Sequence, residues 1–77
     1  MQRSISVIAS DIRRTWQNVH FGAVPYLEAM RGLETVNDKY GLDSARSIIA
    51  YFLSNARAWR GPAAKAIKAE LNAMLKK

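Results

Sequence analysis

Six cations, Arg57, Arg60, Lys65, Lys68, Lys76 and Lys77, crowd the last 21 residues of this chain, where Glu70 is the single acid. The first 56 residues carry six basic and five acidic groups, so five of the six excess positive charges lie beyond Ala56. A field concentrated in this way attracts phosphate groups or an acidic protein surface. Lys65, Lys68, Asn72 and Lys76 follow one another at spacings of three, four and four, which on a helix makes one polar band. Arg57 and Arg60 extend it. A band built mainly of lysine suits neutralisation of phosphates more than recognition of base edges. A solvated helix face rich in good helix formers accounts for the same lysines, and both readings stand. As surface side chains, they should each contribute little to stability.

Other chemistry is sparse. His20 is the only histidine and there is no cysteine, which excludes a two-imidazole metal site, a thiolate zinc site, a disulfide framework and a cysteine nucleophile. A Ser-His catalytic pair would need a group orienting the ring and an oxyanion hole, and no motif marks either. His20, flanked by Val19 and Phe21, reads instead as a partly buried structural side chain. The acids Asp11, Glu28, Glu34, Asp38, Asp43 and Glu70 are scattered. Glu34 and Asp38 are one helical turn apart and could share a cation, but a solvated helix face explains them better. No phosphate loop or dinucleotide fingerprint is present. The expectation is a protein that is not an enzyme, with no cofactor, no metal and no small-molecule substrate.

Four segments have the apolar spacing of helices that would position these groups. Ser4 to Trp16 places Ile5, Ile8, Ala9, Ile12 and Trp16 on one face. A second helix is expected from Pro25 to about Lys39, with Tyr26, Met30, Leu33 and Val36 inward and a weak point at Gly32. Ser44 to Trp59 is the best patterned, with Ile48, Ile49, Phe52, Leu53, Ala56 and Trp59 expected inside. The fourth runs from Pro62 to about Lys76 on Ala64, Ile67, Leu71, Met74 and Leu75. Gly41 and Gly61 read as left-handed helix stops, each followed by a starter: Asp43 or Ser44 as N-cap, and Pro62 at the first helical position. No segment alternates as a strand would.

Short junctions between the last three helices favour antiparallel neighbours. The expected fold is all-α, a small antiparallel up-down bundle of four helices forming a single helical domain over residues 1–77. A chain of this length buries only about 60% of the surface its unfolded form exposes, so each large apolar residue matters. Trp16, Phe21 and Trp59 would meet at one pole of the bundle, with His20 beside them. The apolar runs are too short for a leader or a membrane span, and the protein is expected to be cytoplasmic and not bound to membrane.

Lys39-Tyr40-Gly41-Leu42 before a helix invites comparison with a helix-turn-helix, and Val36, Tyr40 and Leu42 occupy apolar positions of that motif. The small residue required before the glycine is Asn37, however, and the buried aliphatic required after it is Ser47, with Ile48 one step late. One residue rotates a helix by about 100°, so the likeness fails in the second helix.

Asn18-Val19-His20-Phe21-Gly22-Ala23-Val24-Pro25-Tyr26-Leu27 and Tyr51-Phe52-Leu53-Ser54-Asn55-Ala56-Arg57-Ala58-Trp59-Arg60-Gly61 together give the chain a further likeness. From about Asp11 to Leu75 it resembles small proteins of no known activity carried by bacteriophages and other mobile elements. The resemblance implies an accessory protein acting by binding, and it assigns no residue a role. Two functional expectations follow. In the first, a non-enzymatic module contacts nucleic-acid backbone without sequence preference through Arg57, Arg60, Lys65, Lys68, Lys76 and Lys77. In the second, a protein-interaction module, either a homodimer or an inhibitor of a host protein, uses Trp16, Phe21 and Trp59 and the small-residue face of Ala66, Ala69 and Ala73.

Overall fold

Side-chain oxygens start two of the helices in the computed structural model, which describes residues 3–76. Helix α1 (Ile5–Thr15) begins where Ser4 Oγ accepts the Val7 amide, and α3 (Ala45–Ser54) begins where Ser44 Oγ accepts the Ser47 amide at 3.1 Å. Of the two caps expected for that helix, Ser44 is the one used. Helix α2 (Val24–Met30) has Pro25 in its first turn, and α4 (Pro62–Leu75) opens on Pro62, where a missing N–H costs nothing. Between α2 and α3 lie β1 (Lys39–Tyr40) and β2 (Asp43–Ser44), an antiparallel pair in which Tyr40 faces Asp43. The described residues are thus mostly helical, with four helices and one small sheet. No helix among the described residues is long and apolar enough to cross a membrane.

Three expectations change. Helix α2 stops at Met30 instead of Lys39. Gly32 follows in a turn of 3-residue spacing, with the Gly32 and Leu33 amides on the Ala29 and Met30 carbonyls at 3.1 Å. The carbonyls of Leu33 and Glu34 then accept the Ser6 and Ile5 amides at 2.8 and 3.0 Å. Leaving the helix therefore satisfies two of the orphan donors at the start of α1. Asp38 closes the segment, its carboxylate accepting the Glu34 and Thr35 amides at 2.8 and 3.1 Å. Glu34 and Asp38 are loop residues, not a pair on a helix face.

Gly41 is also not a helix stop. It sits at the first position of the two-residue turn between β1 and β2 with φ 62°, and no non-glycine residue among those described has positive φ, the pattern of a type II′ hairpin. A strand where a first helix would be required also removes the helix-turn-helix likeness.

Helix α3, expected to reach Trp59, ends at Ser54. Ser54 Oγ donates to the Ala50 carbonyl and Asn55 Nδ2 to the Tyr51 carbonyl, local bonds that compete with continuation. Continued as helix, the seven-position step from Phe52 would carry Trp59 about 10 Å along the axis. Instead the loop returns it, and the two ring centroids lie 6.5 Å apart. Gly61, with φ 112°, is the N-cap of α4 and does not end α3.

The core collects Ile5, Ile8 and Ile12 from α1, Ile49 and Phe52 from α3, and Leu71 and Met74 from α4 as expected. From α2 it takes Met30 with Leu27, while Tyr26 and Val36, expected inward, are only half-buried. Leu53 and Leu75 are only half-buried at its margin. Helix α2 packs on α1 and α3, and α4 packs on α1 and α3. Arg46 adds a bond from α3 to the Leu75 carbonyl at 3.2 Å.

Candidate basic pole at the start of α4

Trp59 is the structural centre of this region. Its ring stacks on Trp16 at 5.3 Å with an interplanar angle of 8°, and Phe52 meets both rings edge-on. Trp16 and Trp59 are 7% and 4% exposed, so they seal the core and present almost nothing to a partner. Phe21 does not join them. It is 84% exposed, tilted against the ring of His20, also exposed, at 4.7 Å, and Phe52 takes the place expected for it. His20 is accordingly not a buried structural side chain. Phe52 was expected inside from its helix's period, but a residue in a connecting loop has no periodicity to say which way it faces, so nothing in the pattern showed that Phe21 would stay outside.

Around this buried stack stand the cations. Arg57, Arg60 and Lys65 are exposed near the α3–α4 junction, and Lys76 is exposed at the far end of α4. Lys77 lies outside the described residues. Lys68 behaves differently: its Nζ donates to the Trp59 carbonyl at 2.6 Å and lies 5.9 Å from the centroid of the Trp59 ring. Burial, with a smaller contribution from the charge of Arg60, pushes its pKa down. The cation over Trp59 is thus Lys68 from α4, and Lys68 holds the loop against the helix instead of standing free in the band. Its closeness to Trp59 depends on the reversal at Gly61, which a separation of nine positions conceals in the sequence.

Charge pairing sharpens the pole. Glu70, the only acid of α4, points away from the lysine band by about 140° of helical arc measured from Lys65. It accepts two bonds from Arg3, at 2.7 and 3.0 Å. Arg3 also reaches Asp11 at 3.1 Å, and Arg14 pairs with the same carboxylate. These guanidinium bonds, Arg3 first, hold the Asp11 carboxyl below its usual range. Bonds to Glu70 and then Asp11 raise Arg3 further. Glu28 lies between Arg13 and Arg31. Among the described residues, Arg57, Arg60, Lys65, Lys68 and Lys76 have no carboxylate partner.

Between the loop and α4 runs an open groove of about 650 Å³. Pro62 is exposed along it, Trp59 and Ala64 lie almost wholly buried beneath, and Arg60, Lys65 and Lys68 stand around it. No side chain caps the first amides of α4, so the positive end of that helix adds to the field here. Groove and cations together suit an anionic group. The sequence pattern marked the cations but not the groove, which exists only because α3 ends early and Trp59 folds under the junction. Ala66, Ala69 and Ala73 are exposed on the outer side of α4. Among the described residues, no cluster of three or more His, Asp or Glu side chains could hold a metal ion. Comparison with protein-family models, curated proteins and solved structures returns no match to this chain.

Proposed function

We propose that this protein is a non-enzymatic binding module that contacts nucleic-acid backbone through the basic pole and outer band of α4. The observation carrying the reading is the absence of carboxylate partners for the cations from Arg57 to Lys76 among the described residues, while Glu70 is engaged by Arg3. Arg57, Arg60, Lys65 and Lys76 serve as phosphate contacts, and Lys68 holds the surface on which they stand. Four lysine and arginine contacts without base-edge geometry give affinity with little sequence preference. The scaffold reads as an antiparallel up-down bundle carrying an inserted hairpin, since α1–α2, α2–α3, α3–α4 and α4–α1 all pack.

Salt dependence tests the proposal, because each neutralised phosphate releases a counterion. Titration of labelled oligonucleotides at increasing salt should give a log–log slope of roughly −3 to −4 for four contacts. Absence of binding, or binding insensitive to salt, overturns it.

A second reading draws on Phe21, an aromatic ring 84% exposed next to His20. Under that reading Phe21 anchors a protein contact, either a second copy or a host protein, since aromatic residues are enriched at the centres of interfaces. Light scattering during size exclusion tests the homodimer: Phe21→Ser should convert a dimer to a monomer without loss of helicity.

A further inference from the structure

We infer that the protein takes single-stranded nucleic acid, with Phe21 as the platform on which one unpaired base stacks and Arg57 on a phosphate beside it. The inference rests on the backbone-contact reading above and names the class of nucleic acid it applies to. Phe21 is 84% exposed, an open ring in a chain whose other phenylalanine and both tryptophans are buried. It leans on the His20 ring, with centroids 4.7 Å apart and planes at 55°. His20 in turn lines a notch of about 260 Å³ with Ser54, Asn55 and Arg57. The exposed ring is thereby linked to a cation that has no carboxylate partner among the described residues.

Local structure seats the support of that ring. Asn55 Nδ2 donates to the Tyr51 carbonyl at 2.9 Å, which leaves its Oδ1 over Gly22. A Cβ at Gly22 would lie 2.7 Å from that oxygen and 3.1 Å from His20 Nε2, so the missing side chain is what lets both close over the loop. With His20 held in this way, less order has to be imposed when a ligand arrives. The surroundings also select the ligand. Cores of protein interfaces are depleted of charge, whereas the notch beside Phe21 is polar and basic. An unpaired base matches both features, being a flat apolar face joined to an anionic chain. In a duplex those faces are stacked on one another and closed to Phe21. Beyond Arg57 the free cations continue through Arg60 to Lys76, which lies about 16 Å along α4 from Lys65. A polyanion uses all of them, where a short acidic peptide would satisfy only the notch.

Four labelled probes of matched length test this on the full chain by fluorescence anisotropy at one moderate salt concentration: an oligothymidylate dodecamer, the same phosphodiester backbone lacking bases, a duplex dodecamer and a polyglutamate dodecamer. Phe21→Ala should weaken oligothymidylate binding about tenfold, the scale of one stacked base, and leave the baseless backbone bound as by the parent. Phe21→Tyr, which keeps a ring, should bind oligothymidylate like the parent. Arg57→Ala should weaken both single-stranded probes alike. If Phe21→Ala binds oligothymidylate as the parent does, the platform is overturned while the backbone-contact reading survives. Duplex bound as tightly as single strand overturns it in the same way. A parent that is dimeric and a Phe21→Ala variant that is monomeric in light scattering overturn it in favour of a contact between copies. Polyglutamate bound more tightly than oligothymidylate overturns it in favour of an acidic protein partner. If none of the nucleic-acid probes binds, both readings fall.

Discussion

On the α1–α2 side of the molecule, arginines and carboxylates are interleaved: Arg3 bridges Glu70 and Asp11, Arg14 shares Asp11, and Glu28 lies between Arg13 and Arg31. At the α3–α4 junction, Arg57, Arg60 and Lys65 stand exposed with no carboxylate in reach among the described residues. Both regions are rich in basic residues, yet only the second projects an uncompensated field. Net charge of +6 describes the whole chain and conceals this division. The difference is made by where the acids point: Glu70 belongs to the basic helix in sequence and to the paired side in space.

The strongest way to break the comparison is to remove the foundation shared by both sides. Phe52 is fully buried and meets Trp16 and Trp59 edge-on. Phe52→Ala should cost on the order of 3–5 kcal/mol in urea unfolding, a large part of the stability of a domain this small. A variant that stays as stable as the parent would show that the stack does not support the pole.

Next in size is the one cation of the band that is not free. Lys68→Ala removes a charged donor from the Trp59 carbonyl and the alkyl stem beside the ring, and should cost about 1 kcal/mol after allowing for partial exposure. A surface position would have been expected to cost less. Lys68→Met, which keeps the stem, should recover part of the loss in thermal unfolding. Equal stability of all three proteins would return Lys68 to the solvated band.

On the paired side, Arg3→Met should cost no more than about 1 kcal/mol, because its partners are partly exposed and screened. Its clearer signature is in acid. Bonds from Arg3 and Arg14 lower the Asp11 pKa, and the Glu34 and Thr35 amides lower that of Asp38. A carboxyl whose folded pKa lies below its unfolded value stabilises the fold above the unfolded value, and that contribution disappears as pH falls through the folded one. Stability should therefore hold from neutrality down to about the ordinary value of 3.8 and decline below it. In the Arg3 variant the decline followed by circular dichroism should be shallower. An unchanged acid profile would mean that the pairing at Asp11 contributes nothing in solution.

The smallest effect on stability separates the two sides most cleanly. Lys65→Ala and Lys76→Ala should each change unfolding free energy by less than about 0.5 kcal/mol. Each should reduce the salt slope of nucleic-acid binding by about 1 if its ammonium meets a phosphate. Arg13→Ala, on the paired side, should leave that slope unchanged. A slope that responds equally to Arg13 and Lys65 would dissolve the distinction between the regions.

Much of the helical content was legible because it depends on neighbours within one or two turns. Spacing alone placed Ile5, Ile8 and Ile12 inside, identified Ser44 among the possible caps and set Pro62 at the start of α4. The basic groups were equally visible, since a count of charges requires no fold. Helix ends were not. Whether a chain continues past Met30 or Ser54 is a competition between the next intrahelical bond and a partner elsewhere, and those partners are Ile5 and Ser6 in one case and the Trp16–Phe52 pair in the other.

By itself, then, the sequence determined the helical class, the inward faces and the surplus of positive charge beyond Ala56, because periodicity, capping and charge are local properties. Only the tertiary structure decided that Gly41 turns a hairpin, that Trp59 folds under the junction with Lys68 over it, and that Glu70 leaves its own helix's lysines for Arg3. The physical reason is separation along the chain. The Arg3–Glu70 bond spans 67 residues, and a contact of that kind is set by how whole elements pack.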